Sequence, residues 1–206
     1  TVRVEGGKKM SKSLGNIIDP LEIIGEVGAD ALRFSLMVIT ATGTDVYLSE
    51  QKFLIGRNFA NKIWNASRYI LPKMSKNIPL EKATLGDSDR WILSRLHHTI
   101  FDVTKALEEY QFNIAAGALY EFFWHEFCDW YLELSKERKD EEIAPVLHEV
   151  LKTFLSLLHP FMPFITEEIG HEILPDQSVM LSAWPEADKK WFNPEIESKM
   201  SFVIKA

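Results

Sequence analysis

The chain has 206 residues, of which 46% are apolar and 26% charged, and its formal net charge is −7. These values exclude a disordered or fibrous protein, and the net charge excludes a globally basic nucleic-acid-binding protein, so any RNA-binding surface must be local. The single cysteine excludes an intrachain disulfide and a cysteine-based zinc site. No apolar run approaches the roughly 20 residues of a membrane span, and we expect a cytoplasmic monomer with no membrane partner.

The N-terminal segment combines an extended start with a basic, glycine-flanked loop. Thr1–Val4 is typical of the second half of a β-hairpin, which suggests that the chain is part of a longer protein. Residues 8–16 then carry three lysines and two serines without a helical or strand period, which predicts a loop. Mobile ammonium and hydroxyl donors suit a polyanion that binds and leaves, although a solvated basic turn is the simpler alternative.

Short elements follow the loop and predict a connector. Asp19 and Pro20 are placed as the cap and first residue of a short helix, and Ala29–Met37 predicts a second one. A brief extended link at Val46–Leu48 precedes a long helix from Glu50 to Leu71, capped by Ser49 and stopped by Pro72. Its apolar period predicts a buried stripe of Phe53, Gly56, Ala60, Ile63, Trp64, Ser67, Ile70 and Leu71.

The opposite face of this long helix contains amides and cations but no acids. It comprises Arg57, Asn58, Asn61, Lys62, Asn65 and Arg68, within a stretch from Lys52 to Lys76 that holds six basic residues. A solvated helix face normally mixes both charge signs. We favour an RNA-facing surface, because these side chains contact phosphates and base edges, over a chance run of exposed polar residues.

Four long helices with short links predict an all-α, up-and-down helical bundle after the connector. The later helices are expected at 88–110, with Asp87 and Asp89 at its positive end, and at 111–136, 143–158 and 165–173. A helix begun by Pro194 follows a wrapping segment. We divide the chain into a loop and connector (1–48), the bundle (49–174) and a C-terminal wrap (175–206).

Three groups of residues resemble base-stacking or metal-binding sites, but the sequence favours neither function. The aromatic residues between Tyr120 and Tyr131 follow the core period, so most are expected in the core and not as base-stacking platforms. His97 and His98 point to different sides of their helix and are expected at the surface or rim. His125, Glu126 and Asp129 lack a further ligand at suitable spacing, so we expect no metal site.

Several motifs resemble class I aminoacyl-tRNA synthetases. Residues 9–13 match all five positions of the KMSKS signature of that family. Segments that resemble its valyl, isoleucyl and leucyl branch are Asp19–Glu22 and Gly28–Phe34. Segments closer to the valyl enzymes are Arg57–Arg68, Ala118–Trp124, Glu126–Glu133 and His159–Glu168.

The resemblance implies an aminoacyl-tRNA ligase that uses ATP. In this family Lys9 and Lys12 would be catalytic, stabilising charge on the triphosphate, and Lys9, Ser11, Lys12 and Ser13 would contact Mg-bound ATP. The bundle would bind the anticodon arm of a valine-specific tRNA and would work with the enzyme's own catalytic domain. An isoleucyl enzyme, or a helical interaction module without an RNA partner, remains the alternative.

The chain also departs from the family pattern. The HIGH motif, the nucleotide-binding sheet and the editing domain are absent from this sequence, so we expect it to be inactive alone and its KMSKS loop to be disordered. Gly170 stands where the resemblance leads us to expect a tryptophan, which concerns packing.

Overall fold

A computed structural model describes residues 1–4, 6–41, 43–74 and 79–205. Lys76, the last residue of the basic stretch, lies outside these ranges. In the connector, strand β1 (Val2–Val4) pairs in parallel with β2 (Val46–Leu48), and Val2 lies opposite Val46. On its other side, β1 approaches the basic loop: the Val4 amide donates to the Lys8 carbonyl at 3.0 Å, and Arg3 forms an antiparallel bridge with Lys9.

Helices form most of the remaining chain. Helix α1 is Pro20–Val27, α2 is Ala29–Ile39 and α3 is Leu54–Ile70, the last flanked by 3₁₀ turns at Glu50–Phe53 and Leu71–Met74. Helix α4 is Asp87–Glu108, α5 is Phe112–Tyr120, α6 is Leu132–Ser135, α7 is Asp140–Leu158, α8 is Pro163–Ile173 and α9 is Pro194–Lys205. Short 3₁₀ turns occur at Lys12–Leu14, Leu80–Lys82, Val179–Leu181 and Lys189–Trp191.

The expected helix at 111–136 is continuous but is not α-helical throughout. Its centre, Glu121–Tyr131, is an eleven-residue π-helix between α5 and α6. The apolar period predicts where a helix runs, but it does not distinguish α from π hydrogen bonding. The all-α prediction is confirmed, with β1 and β2 as the strands of the described residues.

An aromatic cluster forms the centre of the core. Phe59 lies 4.7 Å from Phe34 and Phe123 lies 4.1 Å from Phe154, measured between ring centroids, and all four rings are fully buried. Phe127 is buried as well, whereas Trp124 is half-buried. Packing is therefore the role of most of these aromatic side chains, as their spacing predicts.

The predicted stripe on α3 is wrong at one large residue. Trp64 is 42% exposed, and Phe59, absent from that stripe, is completely buried. The inward line runs through Phe59, Ile63 and Ile70 because Phe59 fills the aromatic cluster. Trp64 follows Ile63 directly and is therefore turned about 100° away from it around the helix axis.

Two glycines allow close packing. A Cβ atom on Gly56 of α3 would lie 2.2 Å from the Ala31 carbonyl oxygen of α2. On α8, a Cβ atom on Gly170 would lie 2.3 Å from a methyl carbon of Val179. Both glycines are buried, so the lack of a side chain determines the approach of neighbouring segments. No helix in the described part of the chain is long and apolar enough to cross a membrane.

Candidate functional site

The basic loop is held together by hydrogen bonds from one of its own side chains. Asn16 closes it, because its Oδ1 accepts from the Ser11 amide at 2.9 Å and its Nδ2 donates to the Lys9 carbonyl at 3.1 Å. Ser11 and Ser13 hydroxyls lie 3.2 Å apart, and Lys12 begins a single 3₁₀ turn. Lys9, Lys12 and Ser13 are exposed and Ser11 is half-buried, so the loop presents its cations to solvent.

The polar face of α3 is exposed on the surface of the bundle. Arg57, Arg68 and the asparagines at 58, 61 and 65 are all exposed. Neither arginine forms an ion pair with any residue that the structure describes. Their guanidinium groups are therefore available to an anion without breaking an existing pair.

Lys62 differs from the other predicted residues of this face. Its ammonium lies 2.9 Å from Asp129 and 5.2 Å from the centroid of the Trp124 ring. Asp129 also contacts His125 at 3.2 Å, four residues earlier on the π-helix. This ion pair was not predicted, because Lys62 and Asp129 are 67 residues apart in the sequence. The carboxylate partly neutralises the positive charge of Lys62.

A groove of about 280 Å³ runs between α3 and the π-helix beside this face. Its lining residues include Asn65, Tyr69, Cys128, Glu133 and Lys136. Tyr69 is 37% exposed and lies under the ammonium of Lys73, 4.8 Å from the ring centroid. Tyr69 was missed in the sequence, although its position four residues after Asn65 places it on the same side of the helix.

The cysteine in this groove is chemically quiet. Cys128 is buried, and burial raises the pKa of its thiol to about 12. Because the thiolate is the nucleophilic form, Cys128 is unreactive near neutral pH. Its contribution is that of a small packed side chain.

A second polar cluster connects the π-helix to α4 and α9. Arg95 Nε donates to Glu126 at 2.8 Å and Arg95 Nη1 donates to Glu197 at 3.3 Å. Burial, partly offset by Arg95, raises the pKa of Glu126. A cavity of about 450 Å³ adjoins these groups. The described residues contain no group of three or more His, Cys, Asp or Glu side chains arranged to hold a metal ion.

A buried carboxylate stabilises the start of α4. Asp89 is completely buried and accepts from the Gly86 amide, from the Tyr131 hydroxyl at 2.8 Å and from both terminal nitrogens of Arg138. The hydrogen bond with Asp89 raises the pKa of Arg138, and burial raises the pKa of Tyr131 well above its usual value. The prediction that Asp89 sits at the helix start is confirmed, and its long-range partners were missed.

The predicted position of His97 is wrong. It was expected at the surface or rim, yet its side chain is only 7% exposed. Its Nδ1 accepts from the Asp188 amide at 3.1 Å, and its ring stacks on Trp191. Burial lowers the pKa of His97 to about 4. The wrapping segment covers it, which helix periodicity alone does not reveal.

Several curated proteins similar to the chain are named valine–tRNA ligase. The valine–tRNA ligase of Thermotoga maritima is 48% identical over 98% of the chain, and that of Clostridium tetani is 47% identical over 100% of it. The Aquifex aeolicus valine–tRNA ligase is 45% identical over 97% of the chain. The chain spans only about a quarter of these relatives, 24% of the first two and 19% of the third.

Solved structures share the fold. The LeuRS of Agrobacterium radiobacter, in a ternary complex with tRNA and LeuAMS, matches 94% of the chain and 24% of its own length with a TM-score of 0.78 at 24% identity. The methionyl-tRNA synthetase of Mycobacterium tuberculosis, in complex with methionyl-adenylate, matches 81% of the chain and 36% of its own length with a TM-score of 0.65 at 23% identity.

Two family models divide the chain between them. Residues 1–49 match the family described as tRNA synthetases class I (I, L, M and V). Residues 89–206, more than half of the chain, match the family described as the anticodon-binding domain of tRNA ligase. On this match and the helical fold that accompanies it, the chain belongs to the anticodon-binding domain family of tRNA ligases.

Proposed function

We propose that the chain is the tRNA-binding part of a valine–tRNA ligase and docks the anticodon arm on α3. The observation that carries this proposal is the exposed face of Arg57 and Arg68, two guanidinium groups that are interleaved with asparagines and have no ion-pair partner among the described residues. The valine assignment rests on the names of the 45–48% identical relatives. An isoleucine ligase is the alternative within the same branch.

The side chains of this face suit the two parts of RNA recognition. Guanidinium groups bind phosphate oxygens with paired N–H donors, and these contacts position the RNA. Asparagine carries both a donor and an acceptor, which lets Asn58, Asn61 and Asn65 contact base edges. A local surface of this kind explains how a chain of net charge −7 could bind a polyanion.

Lys62 is expected to contribute less to RNA binding than the two arginines. Its charge is shared with Asp129, so an RNA phosphate must compete with that carboxylate for the ammonium. We therefore assign most of the phosphate attraction to Arg57 and Arg68.

The groove beside α3 extends the proposed surface. Sequence-specific RNA recognition commonly uses unstacked loop bases placed against aromatic side chains. Tyr69 offers a partly exposed ring, and Asn65 and Glu133 offer hydrogen-bonding groups along the same groove. A volume of about 280 Å³ suits a single base.

The basic loop is proposed to serve the catalytic domain of the same ligase. Lys9 and Lys12 would bind ATP phosphates with the hydroxyls of Ser11 and Ser13, since these donors lie together in residues 9–13 and all but the half-buried Ser11 are exposed. ATP would supply the adenylyl group for amino-acid activation, with pyrophosphate as the leaving group. The loop contributes donors and positive charge. The division into 1–48, 49–174 and 175–206 stands as part of this proposal.

Binding of valine tRNA by gel shift tests the proposal. We expect the chain to bind this tRNA in low salt and to lose affinity as salt rises, because counterion release drives phosphate contacts. Isoleucine tRNA and an unrelated tRNA serve as competitors, and preference for isoleucine tRNA would reassign the ligase. Indifference to all three RNAs at low salt would instead favour a helical interaction module without an RNA partner.

A further inference from the structure

Helix α2 of the connector holds the corner between α7 and α8 through Asp30. The Asp30 carboxylate is 8% exposed and accepts from the amides of Ile165 at 2.7 Å and Phe164 at 3.3 Å. These amides belong to the first turn of α8, where backbone N–H groups have no partner within the helix. A negative group at this end is favourable, so the connector supplies the cap that α8 lacks in its own sequence.

Arg33, one turn further along α2, holds the other side of the same corner. Its Nη2 donates to the Pro160 carbonyl at 2.8 Å and its Nε donates to the Phe161 carbonyl at 3.3 Å. These carbonyls follow the last turn of α7. The positive residue thus meets the end of α7 and the negative residue meets the start of α8, in keeping with both helix dipoles.

The opposite side of α2 is fixed on α3. The Ser35 hydroxyl donates to the Phe53 carbonyl at 3.2 Å and accepts from the Gly56 amide at 2.9 Å. Phe34 packs on Phe59. Because α2 has contacts on two sides, it cannot turn about its axis or slide without breaking one set of them.

Helix α1, which follows the basic loop, packs against the same elements. Ile23 of α1 is buried in a small cluster with Leu32 of α2 and Phe53, which precedes α3. The segment that follows the loop is therefore packed on the same elements that carry the proposed RNA surface.

We propose that Asp30 and Arg33 are positioning residues that hold the connector at a fixed placement relative to the bundle. The inference rests on the proposed function for its consequence: tRNA docked on α3 would keep a set geometry relative to the loop of Lys9 and Lys12. Loss of both contacts leaves α2 held on α3 alone, so that the connector can tilt against α7 and α8 while the side chains of the RNA surface stay intact.

The first test measures this placement directly in the chain. Spin labels are attached at cysteines replacing Glu22 on α1 and Glu168 on α8, both exposed positions. Cys128 needs no replacement because its buried thiol is unreactive. Double electron–electron resonance should give a narrow distribution of distances between the two labels, and this distribution should become at least twice as broad in the D30N/R33Q variant.

A matched control separates this effect from a general change of charge. Asp102 and Arg90 are exposed residues of the same two types on α4, and D102N/R90Q should leave the distribution unchanged. If D30N/R33Q fails to fold, R33Q alone is measured, since Arg33 is exposed and its replacement leaves the core intact. An unchanged distribution in the folded variant overturns the proposal.

The second test uses the full-length ligase to which we assign the chain. In D30N/R33Q, kcat for tRNA charging should fall about tenfold, while KM for tRNA and amino-acid-dependent ATP–pyrophosphate exchange stay within twofold. A parallel fall of charging and exchange would indicate a structural role only, and unchanged kcat would contradict the coupling. If the parent enzyme does not bind tRNA, the proposed function fails, whereas the spin-label result still decides whether Asp30 and Arg33 fix the connector.

Discussion

Gly56 of α3 lies so close to Ala31 of α2 that a Cβ atom on Gly56 would come within 2.2 Å of the Ala31 carbonyl oxygen. The obstructing atom belongs to the backbone of a helix that is fixed on both sides, so it cannot move aside as a flexible side chain could. The close approach of α2 and α3 at this point therefore depends on the absence of one methyl group.

Replacement of Gly56 by alanine should consequently destabilise the protein. Overpacking of this kind costs roughly 1–3 kcal/mol in free energy of unfolding, more than the helix propensity gained from alanine. Urea unfolding measures the change. Gly117 of α5 is the matched control, because nothing lies within 4 Å of its Cβ position, and Gly117→Ala should stabilise by about 0.5–1 kcal/mol. Equal effects at both glycines would contradict the close approach.

Asp89→Ala should be among the more damaging single substitutions in the bundle. It removes a completely buried carboxylate and leaves the Tyr131 hydroxyl and the Arg138 guanidinium without their partner. We expect a loss of about 3–5 kcal/mol, the cost of breaking a buried pair. Chemical denaturation of Asp89→Ala, compared with Tyr131→Phe, provides the measurement. Tyr131→Phe keeps the ion pair and should cost less than half as much; a larger loss from Tyr131→Phe would mean that the hydroxyl, not the ion pair, dominates.

His97 should make stability depend on pH. Its pKa falls from 6.5 to about 4 on folding through burial, so at intermediate pH the unfolded chain binds the extra proton. Stability then decreases as pH falls through about 6.5 towards 4, by about 2 kcal/mol between pH 8 and pH 5. Asp188, Lys190 and His98 are the charged or titratable groups that face His97, with Asp188 opposing the shift.

Urea titrations at pH 8 and pH 5 check this expectation. In His97→Gln the loss of stability on acidification should shrink by the same amount, since a neutral amide takes up no proton. The pKa of His148 is also lowered by burial and contributes with the same sign, so it is retained in both proteins. An unchanged difference between the two pH values would place the pH dependence elsewhere.

Arg57 and Arg68 should control the affinity for tRNA. Replacing both by alanine should weaken binding about tenfold or more near 0.1 M salt and reduce the slope of log K against log salt by about 2, one unit for each phosphate contact. Circular dichroism should report unchanged helicity, because both side chains are exposed. Arg90→Ala/Lys105→Ala on α4 removes the same charge as a control, and similar losses in both variants would point to a diffuse charge effect.

Local patterns in the sequence predict much of the fold. Pro20 and Pro194 each begin the helix that was predicted from their fixed dihedral, and Asp19 accepts from the Leu21 amide as a cap. The aromatic spacing around Phe123 and Phe127 also places these rings correctly in the core. These features depend on neighbours within one or two turns, which the sequence displays directly.

The features that the sequence did not predict depend on residues far away in the chain. Trp64 is exposed because Phe59 fills the aromatic cluster, and Lys62 is partly neutralised by Asp129, 67 residues away. His97 is buried by the wrapping segment, whose Asp188 amide donates to it from 91 residues further along the chain. Periodicity gives the faces of a helix, but only tertiary packing decides which cation is free and which aromatic ring is covered.

Because Gly170 has no side chain, Val179 can pack directly against it. Val179 occupies the space that a side chain at position 170 would need, and its amide donates to Glu167 on the same helix. A bulky residue at position 170, such as the tryptophan suggested by the family resemblance, would displace the turn at 179–181. Positions 170 and 179 therefore share one volume, so substitutions at them should be correlated across relatives, with a large side chain at one accompanied by a small side chain or a relocated turn at the other.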